Sequence, residues 1–240
     1  MKRQTLDRLN ADRAEKRPVA LVTETASGAQ WLVHADAETG AADLHGEVLR
    51  QARMALTDDR GTSTEVEGLS YFIQVHNPPL RLFIVGAVHI TQALARIALL
   101  AGYAVTVIDP RRAFAEAERF PGLEVSSEWP DDVLTAAALD RRSAIVTLSH
   151  DPKIDDPALE TVLKSEVFYI GSLGSKRTHG KRLARLQEKG FSGAEMARIH
   201  GPIGLDIGAK SPAEIAISII AEITEARRAR RDKAPAPGAA

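Results

Sequence analysis

From residue 80 onward the apolar positions keep changing period. Residues 82–85 (LFIV) are a continuous apolar run, as a strand covered on both faces requires. Ile90, Ala93, Leu94, Ile97 and Ala101 then recur at helical spacing and stop at Gly102, a residue suited to closing a helix. The alternation continues with a strand at 104–108 closed by Asp109-Pro110, a short helix at 114–119, a brief strand at 124–125 and a helix at 131–139. It goes on through a strand at 144–148, a helix capped by Asp156-Pro157 and running to 163, a strand at 166–170 and a helix at 175–189 ended by Gly190. Ser211-Pro212-Ala213-Glu214 is a capping box with proline at the first helical position, and Ile215, Ile219 and Ile223 line part of the helix it opens. Strands and helices alternating through short loops imply right-handed crossovers. The expected class is therefore α/β, a Rossmann-like doubly wound parallel sheet.

Before residue 80 the pattern is different. Residues 1–18 are charged, with little apolar face beyond Leu6 and Leu9, and read as a frayed helix or a disordered lead-in. Short strands at 19–22 and 31–33 flank a Ser27-Gly28 turn. A helix at 47–56 carries Val48, Ala52 and Leu56 on one face, and strands follow at 64–66 and 70–75. Asn77-Pro78-Pro79 breaks the pattern as a linker would. The expected division is a smaller N-terminal α+β domain at 1–78, a Rossmann-like domain at 79–232 and a disordered tail at 233–240.

Composition narrows the function. The net charge of −1 gives no global attraction to nucleic acid or membranes, so a cationic site has to be local. No apolar run is long enough to span a bilayer and the first residues are charged, which reads as cytoplasmic. Cysteine is absent, which excludes disulfides, thiolate metal sites, cysteine nucleophiles and a persulfide carried on this chain.

The candidate chemistry gathers where strands meet helices. At Gly171-Ser172-Leu173-Gly174-Ser175-Lys176-Arg177 a strand runs into two glycines, a helix start and two cations. Glycine lets backbone approach a ligand, and a helix start offers unpaired N–H groups, so the segment suits an anion. Its alternative is a glycine-rich helix approach with solvated cations. Upstream, Gly86-Ala87-Val88-His89 follows a strand as a dinucleotide-binding turn would. Val88 and Thr91 stand where the second and third glycines of that motif belong, which speaks against ordinary NAD(P) binding. Asp109, with Arg111, stands where an acid meets ribose hydroxyls, or else forms a solvated turn. His150, Asp151 and Asp155 share the next loop and suit ligand positioning or helix capping, with only a weak metal signal. Gly204 and Asp206 lie in an apolar glycine-rich loop before the last helix, either a lid or a packing loop.

Taken together, four segments resemble the XdhC/CoxI family: residues 84–121, His150-Asp151 with Asp155, residues 169–178 (YIGSLGSKRT) and residues 200–222 (HGPIGLDIGAKSPAEIAISIIAE). Members of that family are accessory proteins in the maturation of xanthine dehydrogenase and carbon monoxide dehydrogenase. The resemblance implies a molybdenum cofactor site, for molybdopterin or its dinucleotide form, with NAD(P) less favoured. Its residues would be Gly86, Ala87, His89, Asp109, Arg111, His150, Asp151, Gly171, Gly174, Ser175, Lys176, Arg177, Gly204 and Asp206, with no catalytic residue and no metal ligand. It also implies two partners, a cysteine desulfurase that sulfurates the cofactor and a molybdenum hydroxylase apo-enzyme that receives it. The apolar last helix adds the expectation of a homodimer. Two departures stand out. The family's GAGH is Gly86-Ala87-Val88-His89 here, and its N-terminal glycine run and Cys-Gly pair are replaced by Gly40-Ala41-Ala42-Asp43-Leu44-His45-Gly46. The N-terminal domain therefore reads as a divergent one. Two other readings stay open, a Rossmann-type NAD(P)-dependent oxidoreductase and a non-catalytic docking scaffold.

Overall fold

The computed structural model describes residues 2–35 and 43–232. The expected tail at 233–240, and Gly40, Ala41 and Ala42 of the divergent N-terminal stretch, lie outside the described residues. The chain divides into two compact units, Met1–Pro78 and Pro79–Ala240.

In the first unit four antiparallel strands, β1 (Val19–Glu24), β2 (Gln30–Val33), β3 (Thr62–Val66) and β4 (Leu69–His76), form a sheet in the order β2-β1-β4-β3. The run Val19-Ala20-Leu21-Val22 is buried throughout because both faces of β1 are covered. Ala20 and Val22 pack with Val48, Ala52 and Leu56 of helix α2 (Gly46–Asp58), whereas Val19 and Leu21 pack with Leu9 of helix α1 (Arg3–Ala14). A helix as polar as α1 needs more than one apolar anchor. It has one in Asp12, buried and hydrogen-bonded to His34 at 2.9 Å, with Arg17 at 3.4 Å from its other oxygen. Of the two expectations for this stretch the helix is the one found, and the buried pair that anchors it had no sign in the charged pattern.

The second unit is a six-stranded, wholly parallel sheet in the order β10-β9-β8-β5-β6-β7. Its strands are β5 (Leu80–Val85), β6 (Tyr103–Ile108), β7 (Glu124–Ser126), β8 (Ser143–Thr147), β9 (Tyr169–Ser172) and β10 (Ile199–His200). Helices α3 (His89–Leu100), α4 (Pro130–Ala136), α5 (Pro152–Leu163), α6 (Lys176–Glu188), α7 (Gly193–Met196) and α8 (Pro212–Asp232) complete it. This is the doubly wound Rossmann arrangement that the alternation implied, with its topological switch between β5 and β8. Two cores flank the sheet: α3 and α8 cover Leu82, Ile84 and Val146, and α4, α5 and α6 cover Phe83, Val85 and Ile145.

Several boundaries differ from expectation, among them the end of α4 at Ala136 in place of 139 and the start of β3 at Thr62 in place of 64. Helix α5 starts at Pro152, not at Pro157, because Asp151 accepts the Lys153 N–H as its cap and Pro152 takes the first helical position. Strand β9 pairs with β8 only from Tyr169, so Gly171 lies within the strand opposite Val146. The expected helix at 114–119 shrinks to a single 3-10 turn, Ala117–Arg119. Helix α7 and the two-residue β10 carry too little periodicity to be read in advance.

At the switch point Gly86 has φ +104°, and a Cβ there would lie 2.7 Å from the Ser149 nitrogen and 2.9 Å from its Cα. Both neighbours are backbone and cannot swing aside. Gly86→Ala is therefore expected to cost about 2–4 kcal/mol, positive-φ strain plus overpacking, read as a lower midpoint in urea unfolding.

Candidate functional site

The C-terminal ends of β5, β6, β8, β9 and β10 bring most of the sequence candidates to one edge of the sheet, and the structure gives each a definite role. The Gly86 turn is closed by internal partners. Its N–H donates to Ile108 O at 2.8 Å and its carbonyl accepts the buried Thr91 hydroxyl at 2.5 Å. Ala87 is fully buried and donates its N–H to Asp109 Oδ2 at 2.8 Å. His89 is exposed at the first position of α3.

Asp109 ends β6 where expected, but its carboxylate faces inward. It is fully buried. Besides Ala87, it accepts the Arg111 N–H at 3.0 Å and the guanidinium through Nε at 2.9 Å and Nη2 at 2.7 Å. Burial works to raise its pKa, yet the bonds from Arg111 and the two backbone N–H groups win and hold it below the usual carboxylate value. Both oxygens that the expected contact with a ribose or pterin group would use accept hydrogen bonds from within the chain. Arg111 itself stacks on the Phe114 ring at 4.3 Å.

On the loop after β8, Asp151 is spent on capping α5. His150 holds φ +62° and is exposed. Asp155 is buried, with one oxygen bonded to the Ser149 hydroxyl at 2.7 Å and the other without a partner. Burial raises its pKa. Among the described residues no group of three or more His, Asp or Glu is placed to hold a metal ion.

After β9 the two glycines answer to packing. A Cβ on Gly171 would sit 2.4 Å from Ile203 Cδ1 and 2.7 Å from the Tyr169 ring. Gly174, at φ +142°, turns the chain beside Thr178. Ser175 caps α6 by accepting the Thr178 N–H at 3.2 Å. Lys176 and Arg177 are exposed on the first turn of that helix, where the leading N–H groups lack intrahelical acceptors. Of these candidates, Arg177 and His150 meet in one concavity.

That concavity, about 330 Å³, lies between α5 and α6 and is lined by His150, Asp155, Asp156, Arg177, Lys181 and Arg182, among others. Asp156 is taken up by Arg185, through Nε at 2.5 Å and Nη2 at 2.9 Å. Arg182, 3% exposed, donates from Nη2 to Leu173 O at 2.9 Å. Its Nε and Nη1 have no partner. Burial lowers its pKa, against the pull of Asp155 and Asp156. Motif reading missed Arg182 and Lys181. Helical spacing from Arg177 along α6 was the available signal for Lys181, four residues on and on the same face, whereas Arg182, five residues on, carried no such signal.

The family model described as the XdhC Rossmann domain matches residues 82–223, more than half of the chain. The chain belongs to this family. Its curated relatives include the uncharacterized protein YqeB of Escherichia coli K12, 33% identical over 184 residues that make up 77% of this chain and 33% of YqeB. The molybdenum cofactor insertion chaperone PaoD of the same organism is 31% identical over 150 residues, 62% of this chain and 41% of PaoD. A protein of Bacillus subtilis 168 named as a probable xanthine dehydrogenase subunit is 32% identical over 159 residues, 65% of this chain and 46% of that protein. The chain thus spans less than half the length of each of these relatives. Among solved structures, a xanthine dehydrogenase from Bacillus halodurans superposes with a TM-score of 0.73 at 26% identity, covering 98% of this chain and 67% of that one.

The two family-like segments at 169–178 and 200–222 meet at one carboxylate. Glu222 of α8 accepts the Tyr169 hydroxyl at 2.5 Å, the Gly204 N–H at 2.7 Å and a contact from His200 Nδ1 at 3.0 Å. It thereby ties the XdhC-family loop 201–210 to β9 and β10. Gly204 lies against Ser218, so the start of the loop is packing, while Asp206 is exposed at its tip. Burial raises the Glu222 pKa, but the bonds from His200, Tyr169 and Gly204 outweigh it and leave the pKa below its reference of 4.5. A depressed folded-state pKa contributes stability that is fully present above the unfolded value and is lost as pH falls through the folded one. Stability should therefore drop as pH falls below about 4.5. Glu222→Gln should be less stable at pH 7 and should flatten that drop, measured by urea unfolding from pH 3 to 7.

Proposed function

We propose that this chain binds the molybdenum cofactor and serves the maturation of a molybdenum hydroxylase of the xanthine dehydrogenase type. The observation that carries the reading is a local cationic cavity at the ligand-binding edge of an XdhC Rossmann domain, in a chain whose net charge is −1. Its relatives lend the rest: one is named for insertion of this cofactor and another for a component of xanthine dehydrogenase.

The residues present fit a phosphate-bearing pterin. Two nitrogens of the buried Arg182 guanidinium have no partner, and a buried cation without one is a donor set waiting for an anion. Arg177 and Lys181 add charge from the rim, and the first-turn N–H groups of α6 favour an anion through the helix dipole. Lys176 adds a further positive charge on the same turn of α6. When bound, the cofactor would supply its own molybdenum and dithiolene chemistry. The chain's part would be to hold, orient and release it. With no cysteine, it has no thiol for a persulfide, so any sulfuration would draw on a separate desulfurase.

The oxidoreductase alternative needs the switch-point crevice. Val88 in place of the second glycine and the sealed Asp109 both count against it. Titration of the protein with cofactor released from a molybdenum hydroxylase, and separately with NADH, tests the reading. Saturable cofactor binding is expected, weakened at least tenfold by Lys176→Ala combined with Arg177→Ala, about 1.4 kcal/mol or more. Tight NADH binding with hydride transfer would install the oxidoreductase instead, and silence from both ligands would leave a docking scaffold.

A further inference from the structure

The cavity between α5 and α6 says something about which end of a ligand it receives. Three of its cations, Arg177, Lys181 and Arg182, have no ion pair among the described residues, whereas Arg185 is neutralised by Asp156. All three belong to α6 and line the same cavity, so their charges act on one space. Arg182 has only 3% of its surface exposed, and N–H groups on two of its three nitrogens are uncommitted. Asp155 and Asp156 offset this charge only at a distance, and the two nitrogens without a hydrogen bond remain unfavourable in a buried place. An anion seated in the cavity removes that cost.

We propose that this cavity is a phosphomonoester pocket, in which Arg182 receives a terminal phosphate group and phosphodiesters are disfavoured. The inference deepens the cofactor-binding reading and rests on it for the identity of the rest of the ligand. A monoester carries about 1.5 to 2 negative charges at neutral pH and three terminal oxygens. A diester keeps one charge and two such oxygens, and must find a second exit for its other substituent. Three cations lining one cavity suit the first. The remaining ionisable groups in the wall do not reverse this balance. Asp156 is paired with Arg185, His150 carries no negative charge, and one Asp155 oxygen is held by the Ser149 hydroxyl, so three cations face a single unpaired carboxylate. The unpartnered Asp155 oxygen is a further hydrogen-bonding group for a phosphate oxygen that bears a proton. A cofactor held this way would be the mononucleotide-free form, with its phosphate as an end group, rather than one extended through a pyrophosphate.

Calorimetric titration of the full chain with methyl phosphate, inorganic phosphate and dimethyl phosphate tests it. Methyl phosphate and inorganic phosphate should bind saturably, with dimethyl phosphate at least tenfold weaker. Arg182→Gln should weaken methyl phosphate at least tenfold. Because that side chain is buried, the exposed pair Arg177→Ala with Lys181→Ala serves as the second variant, expected to weaken binding at least fivefold with an unchanged thermal midpoint. Absence of methyl phosphate binding, equal binding of the diester, or indifference to the exposed pair would each overturn the pocket. The two readings fail separately. Methyl phosphate binding without cofactor binding keeps the pocket and removes the cofactor, whereas cofactor binding unaffected by saturating methyl phosphate does the opposite.

Discussion

At the crest of the large sheet, main chains and side chains approach closely enough that a single Cβ would collide. Gly86 meets the Ser149 backbone, Gly171 meets Ile203 and Tyr169, Gly201 meets the His179 ring and Gly204 meets Ser218. Each would place a new carbon within 2.2–2.7 Å of its neighbour, well inside van der Waals contact. The order β7-β6-β5-β8-β9-β10 depends on this, because β5 and β8 must end side by side at the point where the chain switches direction. The same constraint accounts for these glycines by packing alone. What remains for chemistry at this edge is side-chain charge and the open first turn of α6.

The fold was legible because period carries it. The apolar run 82–85, the helical spacing from Ile90 to Ala101 and the box at Ser211–Glu214 name their elements, and Ser211 and Glu214 do exchange the expected bonds. Boundaries were less legible where two signals compete. Asp151-Pro152 and Asp156-Pro157 are both capping pairs, and only the surrounding packing decides that the first starts the helix while the second sits inside it. Pairing partners are long-range, so no local pattern could show that β9 begins at Tyr169 rather than Glu166.

The site was legible as a place and less so as a set of residues. Sequence puts Gly86, Asp109, His150 and Arg177 at the ends of successive strands, which fixes the edge. It does not reveal which polar groups spend themselves on one another. Asp109 with Arg111, Asp151 with the start of α5, and Asp156 with Arg185 all look available in one dimension and are committed in three. Arg182 is the reverse case: one more cation in a basic helix by sequence, and a buried charge with two nitrogens left without a hydrogen bond by structure.

Asp109 and Arg182 show why compensation, more than residue type, identifies a binding group. Both are charged and nearly or wholly buried. Asp109 has four hydrogen bonds, two from backbone and two from the Arg111 guanidinium, so its charge is already solvated by the protein and a ligand gains little by approaching it. Arg182 has one bond, to Leu173 O, and the nearest acids are either bonded to Ser149 or clamped by Arg185. A hydrogen bond to a charged group contributes about 1.5–3 kcal/mol net, so two supplied by a ligand at Arg182 amount to about 3–6 kcal/mol before the rim cations are added. The same bonds offered at Asp109 would have to break existing ones of equal strength. Under the proposed function this asymmetry favours α6 for ligand recognition, two strands over from the turn that dinucleotide-binding members of this fold use.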